Sequence, residues 1–358
     1  MHLTISTFGA YLHVSEAMFE VRIRTDDGVK KQQFSPKKIR SIVLERGTSL
    51  SSEAILLALT HNVDIVVVQS DGQPAGRFWH SKLGSTTKIR KRQLEASISA
   101  ECVGFIKEWI ALKLERQAEF LTDLKKHRDT RREFIDEQCT AIHRYRSSIL
   151  ALEGATIGDV ADTLRGYEGN AGRVYFGTLS ELLSVSNSSY TFSGRSSRPA
   201  KDQFNAFLNY AYGILYRIVE KSVMIAGLDP YVGFLHRDDY NHLSFVFDFI
   251  EPYRPFADEV VFRLFSAKKV NQSHTETITN GVTLAKEGKQ MLGEHFHKFF
   301  EEETIRYRGK NHTRANAILY DAHAFANALL PKPNELPKTP ESSINSDADG
   351  NNEEDITV

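Results

Sequence analysis

The spacing of apolar residues changes once along this 358-residue chain, near residue 85. Up to that point, short runs rich in β-branched and aromatic residues alternate with turn signals. These runs predict strands at 2–7, 18–25, 39–45 and 63–69. The segment SLSSEAILLALTHN, before the last of them, predicts a helix that begins at Ser51 or Ser52.

After Thr87 the apolar residues recur every three or four positions, as at Ile106, Ile110 and Leu114. This pattern predicts helices within 88–152 and at 158–184, 203–227, 243–265, 283–305 and 312–330. The chain is therefore predicted to be an α+β protein. A small N-terminal β-rich domain at 1–85 precedes a larger all-α domain at 86–330.

The last 28 residues, 331–358, differ in composition from the rest. They hold four of the ten prolines, and seven acidic residues against two lysines give them a net charge of −5. Because the whole chain carries −1, residues 1–330 carry +4. A segment with so few apolar residues cannot offset its ordering entropy by burial, so we predict a disordered acidic tail.

Basic residues are concentrated at the predicted domain junction. Between 77 and 92 there is no acidic residue, and the basic side chains are Arg77, Lys82, Lys88, Arg90, Lys91 and Arg92. Such a cluster indicates contact with phosphate, and Arg77, Lys82, Arg90 and Arg92 are the predicted DNA-binding residues. A second group, at 125–132, is interleaved with acids and is equally consistent with a solvated helix face.

Several functional classes are excluded by what the sequence lacks. It has no apolar stretch of the ~20 residues that a membrane span needs, and its start does not resemble a secretory signal. Cys102 and Cys139 cannot build a disulfide framework. Walker A, GxGxxG, GxSxG and HExxH motifs are absent. We therefore expect a reduced, cytoplasmic protein without membrane contact.

The densest polar segment runs from 233 to 255, GFLHRDDYNHLSFVFDFIEPYRP. On a helix from Leu243 onward, Asp248 and Glu251 lie one turn apart, near the loop residue His236. Two carboxylates and an imidazole are suitable ligands for a hard divalent cation. The alternative is a structural role, with the carboxylates paired to Arg254 and His236 hydrogen-bonded.

A second unusual segment, LRGYEGNAGRVYF at 164–176, places Glu168 among small residues that allow close approach of another backbone or a substrate. The alternative is a glycine-weakened helix with a surface glutamate. Spacing alone does not connect Glu168 with His236.

These two segments resemble the CRISPR-associated adaptation integrase, the universal spacer-acquisition nuclease of CRISPR systems. Two further segments share the resemblance: NAFLNYAYGILYRIVEKSVMIAGLDPYVGFLH and the closing YRGKNHTRANAIL. The resemblance covers about residues 1–330. It implies a β-sandwich-like N-terminal domain, an α-helical catalytic domain, a homodimer, and a small ferredoxin-like CRISPR adaptation partner protein that bridges two dimers.

The same resemblance implies a site for Mg²⁺ or Mn²⁺ built by Glu168, His236 and Glu251. Asp248 corresponds to a second acid that supports the catalytic site, and Arg254 to a basic residue that meets DNA phosphate. The tyrosine before Glu168 replaces the Ile or Val of many members.

The implied activity is the metal-dependent joining of 3′-hydroxyl ends of short foreign double-stranded DNA, the protospacer, into the CRISPR repeat array by transesterification. One alternative is a stand-alone metal-dependent nuclease acting on branched DNA. A second is a non-catalytic DNA-binding or assembly subunit in which the carboxylates are structural.

Overall fold

Two four-stranded sheets near the N-terminus share one apolar core. The computed structural model of the chain describes residues 2–25, 28–39, 41–61, 63–69, 74–78, 86–186, 192, 194–196, 199–236 and 242–330. Its N-terminal elements are β1 (His2–Ile5), β2 (Tyr11–Ser15), β3 (Met18–Thr25), β4 (Gly28–Phe34), β5 (Ser41–Leu44), β6 (Ser49–Leu50), α1 (Ser52–Thr60), β7 (Asp64–Val68) and β8 (Pro74–Phe78).

One sheet has the strand order β1-β5-β7-β8, with only the β7–β8 pair antiparallel. The other has the order β4-β3-β2-β6, with only the β2–β6 pair parallel. Leu12 and Phe19 from the second sheet are buried in the same cluster as Ile42 and Ile65 from the first. The two sheets therefore pack face to face, as a β-sandwich-like domain requires.

The predicted strands and the predicted helix at 49–62 are present in this region. Ser51 is the N-cap of α1, because its hydroxyl accepts a hydrogen bond from the Ala54 amide at 3.2 Å. The sequence pattern missed β2, β4, β6 and β8. The longest of these is β4, whose residues GVKKQQF are almost all exposed. An edge strand without a buried face shows no apolar alternation, so periodicity could not reveal it.

The larger part of the chain is predominantly helical, which confirms the predicted fold class. Its helices are α2 (Thr86–Ser97), α3 (Glu101–Lys125), α4 (Arg132–Leu150), α5 (Ile157–Ser186), α6 (Gln203–Ile225), α7 (Ser244–Phe249), α8 (Arg254–Ser266), α9 (Lys286–His297) and α10 (Arg314–Leu329). Short 3-10 turns lie at Asp129–Arg131, Glu251–Tyr253 and Gln272–His274, and a π-helical segment lies at Lys298–Glu302.

Two details of the predicted helices differ. The helix expected at 243–265 is broken into α7, a 3-10 turn and α8, because Pro252 and Pro255 interrupt it. The larger part is also not wholly α-helical. It contains the hairpins β9 (Thr275–Ile278) with β10 (Gly281–Leu284) and β11 (Thr304–Tyr307) with β12 (Lys310–Thr313).

An aromatic cluster fixes the position of the polar segment. The ring of Phe325 on α10 lies within 6.2 Å of the rings of Trp109, Phe234, Phe245 and Phe249. This cluster holds α7 and the loop before it against α3. Aromatic pairs of this kind add about 0.5–1.5 kcal/mol each beyond the area that they bury.

Several predictions fall on residues that the structure does not describe. The tail at 331–358 lies outside the described residues, as do Lys82 and the domain boundary near residue 85. The division into domains at 1–85 and 86–330 therefore stays a prediction. Within the described residues, no helix is long and apolar enough to cross a membrane, and Cys102 and Cys139 are both free and buried.

Candidate active site

Asp248 organises the loop that precedes α7. Its carboxylate, fully buried, accepts hydrogen bonds from the backbone amides of Phe234 at 2.6 Å, Leu235 at 3.0 Å and His236 at 3.1 Å. Gly233 makes this tight loop possible, since a Cβ there would lie 2.5 Å from the Ser244 Cβ and 2.8 Å from the His236 carbonyl oxygen. The GFLH segment is thus folded around one carboxylate.

His236 receives its orientation from the same carboxylate. Its Nδ1 lies 2.6 Å from an Asp248 oxygen, and its side chain is 44% exposed. Burial lowers the pKa of His236, but the hydrogen bond and the charge of Asp248 outweigh that effect, so the pKa is raised. In the neutral ring, a proton on Nδ1 facing Asp248 leaves the Nε2 lone pair free for a ligand bond.

Glu251 lies in the 3-10 turn after α7 and is buried. One of its oxygens accepts from Arg254 Nε at 2.6 Å, and the other accepts from Lys113 Nζ at 2.6 Å. Burial by itself raises the pKa of Glu251, but the charges of Arg254 and Lys113 prevail and bring it down to about 2. Glu251 is therefore ionised throughout the physiological pH range.

Glu168 lies on α5 and meets Glu251 at one ammonium group. Lys113 Nζ on α3 donates to Glu168 Oε1 at 2.5 Å as well as to Glu251. Burial lowers the pKa of Lys113, but the two glutamates outweigh it and hold the pKa above its ordinary value. The structure thus brings together two acids that are 83 positions apart in the sequence.

Lys113 is the site residue that the sequence argument missed. It continues the spacing of the buried Ile106 and Ile110 on α3, and the next position of that pattern is the buried Gln117. A lysine on the buried stripe of a helix needs a buried partner. That departure from apolar periodicity was the available signal.

The donor groups fit a divalent cation, although no three metal-ligating side chains within the described part of the chain are close enough to form a ready cluster. Both glutamate oxygens lie within 2.6 Å of one cationic nitrogen, so they already converge on a point of positive charge. His236, whose pKa is influenced by the charge of Glu251, offers its Nε2 as a nitrogen donor from the neighbouring loop. Lys113 Nζ stands between the carboxylates.

Arg254 is part of this cluster and not a surface residue. Its guanidinium donates to Glu251 and to the Tyr216 hydroxyl at 2.9 Å, and it lies over the rings of Tyr212 and Tyr216 at 5.0 and 5.5 Å. Tyr212 in turn donates to the buried Asp258, whose pKa is raised to about 6 by burial. This placement favours a role in holding Glu251 over the predicted contact with DNA phosphate.

Arg77 and Arg92, two of the predicted DNA-binding residues, already have partners within the protein, so they are less available to DNA phosphate than expected. Arg77 is only 5% exposed, and its guanidinium bridges Asp64 at 3.1 Å and Glu220 at 2.7 Å, so it joins β7 to α6. Its burial argues against phosphate contact. Arg92 donates to Glu95, Glu101 and the carbonyl oxygen of Leu329.

Arg90 is more accessible, with Asp229 at 4.0 Å. Lys82 lies outside the described residues. The second basic group at 125–132 consists mostly of ion pairs, as at Lys126 with Asp123 and Arg132 with Asp129. That pairing fits its interpretation as a solvated face.

Comparison with known proteins identifies relatives of this chain. The sequence profile described as CRISPR associated protein Cas1 matches residues 3–298. The CRISPR-associated endonuclease Cas1 1 of Archaeoglobus fulgidus is 31% identical over 333 residues, which cover 90% of this chain and 94% of that protein. The CRISPR-associated endonuclease Cas1 1 of Thermus thermophilus is 29% identical over 326 residues, covering 89% of this chain and 96% of that protein.

Solved structures share the fold. A casposase bound to an integration product matches with a TM-score of 0.77 at 21% identity and covers 96% of both chains. A Cas1 protein from Thermotoga maritima matches with a TM-score of 0.73 at 19% identity, covering 92% of this chain and 96% of that one.

Proposed function

The chain belongs to the Cas1 family of CRISPR-associated proteins, and we propose that it is a metal-dependent DNA integrase and endonuclease of CRISPR adaptation. It joins the 3′-hydroxyl ends of short foreign DNA into the repeat array by transesterification. Family membership and the endonuclease relatives support the general activity. The arrangement of side chains around Lys113 supports the metal dependence.

The observation that carries this proposal is the convergence of two glutamates from separate segments on one ammonium group, with an oriented histidine whose pKa is influenced by one of them. Glu168 from α5 and Glu251 from the 3-10 turn approach the same ammonium, and His236 is held by Asp248 with its Nε2 free. These are suitable ligands for Mg²⁺ or Mn²⁺. An ordinary structural ion pair would not need an oriented, accessible histidine beside it.

In the proposed mechanism, Glu168, His236 and Glu251 hold the metal ion. When bound, the ion supplies Lewis acidity toward the phosphodiester and lowers the pKa of the attacking hydroxyl. Asp248 fixes the tautomer and the direction of His236, and Arg254 fixes one oxygen of Glu251. Direct attack by the DNA 3′-hydroxyl requires no covalent enzyme intermediate, which agrees with the lack of a nucleophile motif.

The proposed partners follow from the family. We propose that the protein acts as a homodimer on double-stranded DNA, with a small ferredoxin-like adaptation protein bridging two dimers. A solved Cas6-RT-Cas1–Cas2 complex contains a chain of the same fold, of which this chain covers 35%, with a TM-score of 0.70 at 19% identity. The N-terminal domain at 1–85 and the catalytic domain at 86–330 are the proposed units of this assembly.

The proposal is tested with purified protein, the small partner protein, a duplex with free 3′-hydroxyl ends, and a supercoiled plasmid carrying repeats. With Mg²⁺ or Mn²⁺ we expect strand-transfer products that disappear in EDTA. Glu168→Gln and His236→Ala should abolish them, while the exposed Lys126→Ala should not. Equal activity from either site variant would refute the site.

The same assay separates the alternatives. Cleavage of branched DNA without strand transfer would indicate a stand-alone nuclease that uses water as the nucleophile. DNA binding without either reaction, together with no Mn²⁺ binding, would indicate an assembly subunit in which the carboxylates are structural.

A further inference from the structure

Lys113 occupies the place between two carboxylates where a divalent cation fits. Its Nζ lies 2.5 Å from Glu168 Oε1 and 2.6 Å from Glu251 Oε2, and its side chain is 13% exposed. The three groups come from α3, α5 and the 3-10 turn, so the ammonium ties together separate parts of the helical region. No feature of the proposed reaction so far uses this residue.

The charges of the two glutamates and their two basic partners balance without a metal ion. Glu168 and Glu251 contribute two negative charges, and Lys113 and Arg254 contribute two positive charges. A bound divalent cation would add two positive charges to these four groups, only partly offset by the Asp248 carboxylate beside His236, in a largely buried site where charges are weakly screened. Lys113 and the metal ion therefore compete for the same two carboxylates.

We infer that Lys113 is a positioning residue that holds the carboxylates of Glu168 and Glu251 together in the metal-free protein and is displaced from them when the metal ion binds. The inference rests on the proposed function. Once displaced, the ammonium is available to a DNA phosphate, which also neutralises the excess charge. Metal binding and DNA binding then strengthen each other.

The test is Mn²⁺ titration by calorimetry of EDTA-treated, DNA-free full-length protein. Lys113→Met keeps the length of the side chain and removes its charge, so we expect Mn²⁺ to bind at least about tenfold more tightly than to wild type. The unfolding temperature of this variant should fall in EDTA and recover with Mn²⁺, because two uncompensated carboxylates remain. Lys107→Met is the matched control, since Lys107 on the same helix donates to the Leu152 carbonyl oxygen and contacts neither glutamate.

Unchanged or weaker Mn²⁺ affinity in Lys113→Met would overturn the inference, because a lysine that merely braces the fold does not compete with a metal ion. If this variant does not fold in EDTA, recovery of folding by Mn²⁺ supports the inference, and failure to recover refutes it. If wild type binds Mn²⁺ and Lys113→Met binds it with the same affinity, only this inference is contradicted. Absence of Mn²⁺ binding by both proteins contradicts the proposed function as well.

A second, independent observation concerns the β11–β12 hairpin. From 304 to 314 the sequence TIRYRGKNHTR contains no acidic residue. Its tight turn places Arg308 at φ 47° and Gly309 at φ 80°, both in the left-handed region. The result is a short hairpin that presents a concentration of positive charge.

The two faces of this hairpin differ. The register pairs Ile305 with His312 on one face, and that face packs on α10 through the ring of His312, which lies 4.8 Å from the ring of Tyr320. Arg306 pairs with Asn311 on the opposite face, and both are exposed. The outer face therefore offers cationic and amide donors to solvent.

The hairpin is also tied to the candidate active site. Tyr307 and Tyr253 both donate to the carboxylate of Asp321, the latter at 2.9 Å. Tyr253 belongs to the same 3-10 turn as Glu251. Within the described residues, Arg306 and Lys310 have no hydrogen-bond or ion-pair partner, so their charges are available to a ligand.

The geometry points to the exposed residues at the end of the β11–β12 hairpin, from Arg306 to Asn311, as a binding surface for the phosphate backbone of DNA held at the active site. This inference also rests on the proposed function. Arg306 on the outer face supplies one charge, and Lys310, which pairs with Tyr307 beside the turn and is also exposed, supplies the other. Asn311 adds a neutral donor. Contacts of this kind position a duplex without reading its sequence.

The test is fluorescence anisotropy of a labelled duplex in EDTA, measured from low to high NaCl. For Arg306→Ala/Lys310→Ala we expect weaker binding and a plot of log K against log[NaCl] shallower by about 1.8, the value for two lost phosphate contacts. The control is Lys126→Ala/Arg132→Ala, which removes the same charge from exposed residues that already have carboxylate partners. Its slope should change far less.

If wild type binds the duplex and the hairpin variant has the same slope of log K against log[NaCl], only the inference about the hairpin is overturned. Wild type that does not bind the duplex would contradict the proposed function too. Because Arg306 and Lys310 are exposed, the variant should unfold at the wild-type temperature, and this is checked on the same samples.

Discussion

Replacing Asp248 by asparagine tests whether the loop and His236 depend on one carboxylate. Asp248 accepts three backbone amides and the Nδ1 proton of His236, with donor–acceptor distances of 2.6 to 3.1 Å. The asparagine side chain would offer one oxygen, which can still serve Phe234 and Leu235. Its amide group would then face two donors on His236, so one backbone amide loses its partner.

The size of the effect follows from these contacts. A hydrogen bond to a charged group contributes about 1.5–3 kcal/mol, and a buried unsatisfied amide costs about 1–3 kcal/mol. We therefore expect Asp248→Asn to lower the free energy of unfolding by about 3 kcal/mol. The imidazole should also change tautomer, because the new amide donates to Nδ1 and moves the ring proton to Nε2. With its nitrogen donor blocked, the site should bind Mn²⁺ about 10–100-fold more weakly.

The assays are urea denaturation in EDTA and the ¹⁵N chemical shifts of the His236 ring. Because the folded pKa of His236 is raised above its ordinary value of 6.5, the ion pair stabilises the fold fully below that pH. The stabilisation is lost as the pH rises through the folded pKa. The difference between wild type and Asp248→Asn should therefore be largest in acid.

Asp258→Asn is the control, since Asp258 is equally buried but accepts its hydrogen bond from the Tyr212 hydroxyl, which an amide oxygen can also receive. It should cost far less stability and leave the His236 tautomer unchanged. If Asp248→Asn matched wild type in both stability and tautomer, the carboxylate would not be organising the loop.

Three further predictions concern other parts of the molecule. Glu251→Gln should flatten the acid limb of a stability–pH curve, because the lowered pKa of Glu251 makes its stabilisation present above pH 4.5 and lost as the pH falls towards about 2. Arg77→Met should lower the free energy of unfolding by about 3–5 kcal/mol, since two carboxylates lose their buried partner. It should leave the salt dependence of DNA binding unchanged, and a shallower plot of log K against log[NaCl] would restore Arg77 as a phosphate contact. Phe325→Ala should cost about 3–5 kcal/mol in urea denaturation by opening the aromatic cluster around Trp109, and a cost below about 1 kcal/mol would contradict that packing.

Local pattern sufficed to predict much of the fold. Short runs rich in β-branched and aromatic residues indicated β1, β3, β5 and β7, and the helical stripe of Ile106 and Ile110 indicated α3. The hairpins were missed because their four strands bury almost no side chain, so they carry no apolar run like those of β1 and β5.

The candidate site could be predicted from the sequence only in part. Resemblance supplied Glu168, His236 and Glu251, whereas Lys113 could be placed only by folding, since its partners lie 55 and 138 positions away. For Arg77, the sequence shows charge but not partners, because its acidic neighbours come from β7 and α6. The partner of Arg254 lies only three positions away, and pairing of Arg254 with the nearby carboxylates was one of the two interpretations of that segment.

The central claim is that Glu168, His236 and Glu251 hold one divalent cation, and anomalous diffraction from crystals soaked in Mn²⁺ tests it most directly. We expect one anomalous peak about 2.1 Å from oxygens of both glutamates and from His236 Nε2, with Lys113 Nζ moved away. A crystal without a peak there, with Lys113 still bridging Glu168 and Glu251 at saturating Mn²⁺, would contradict it.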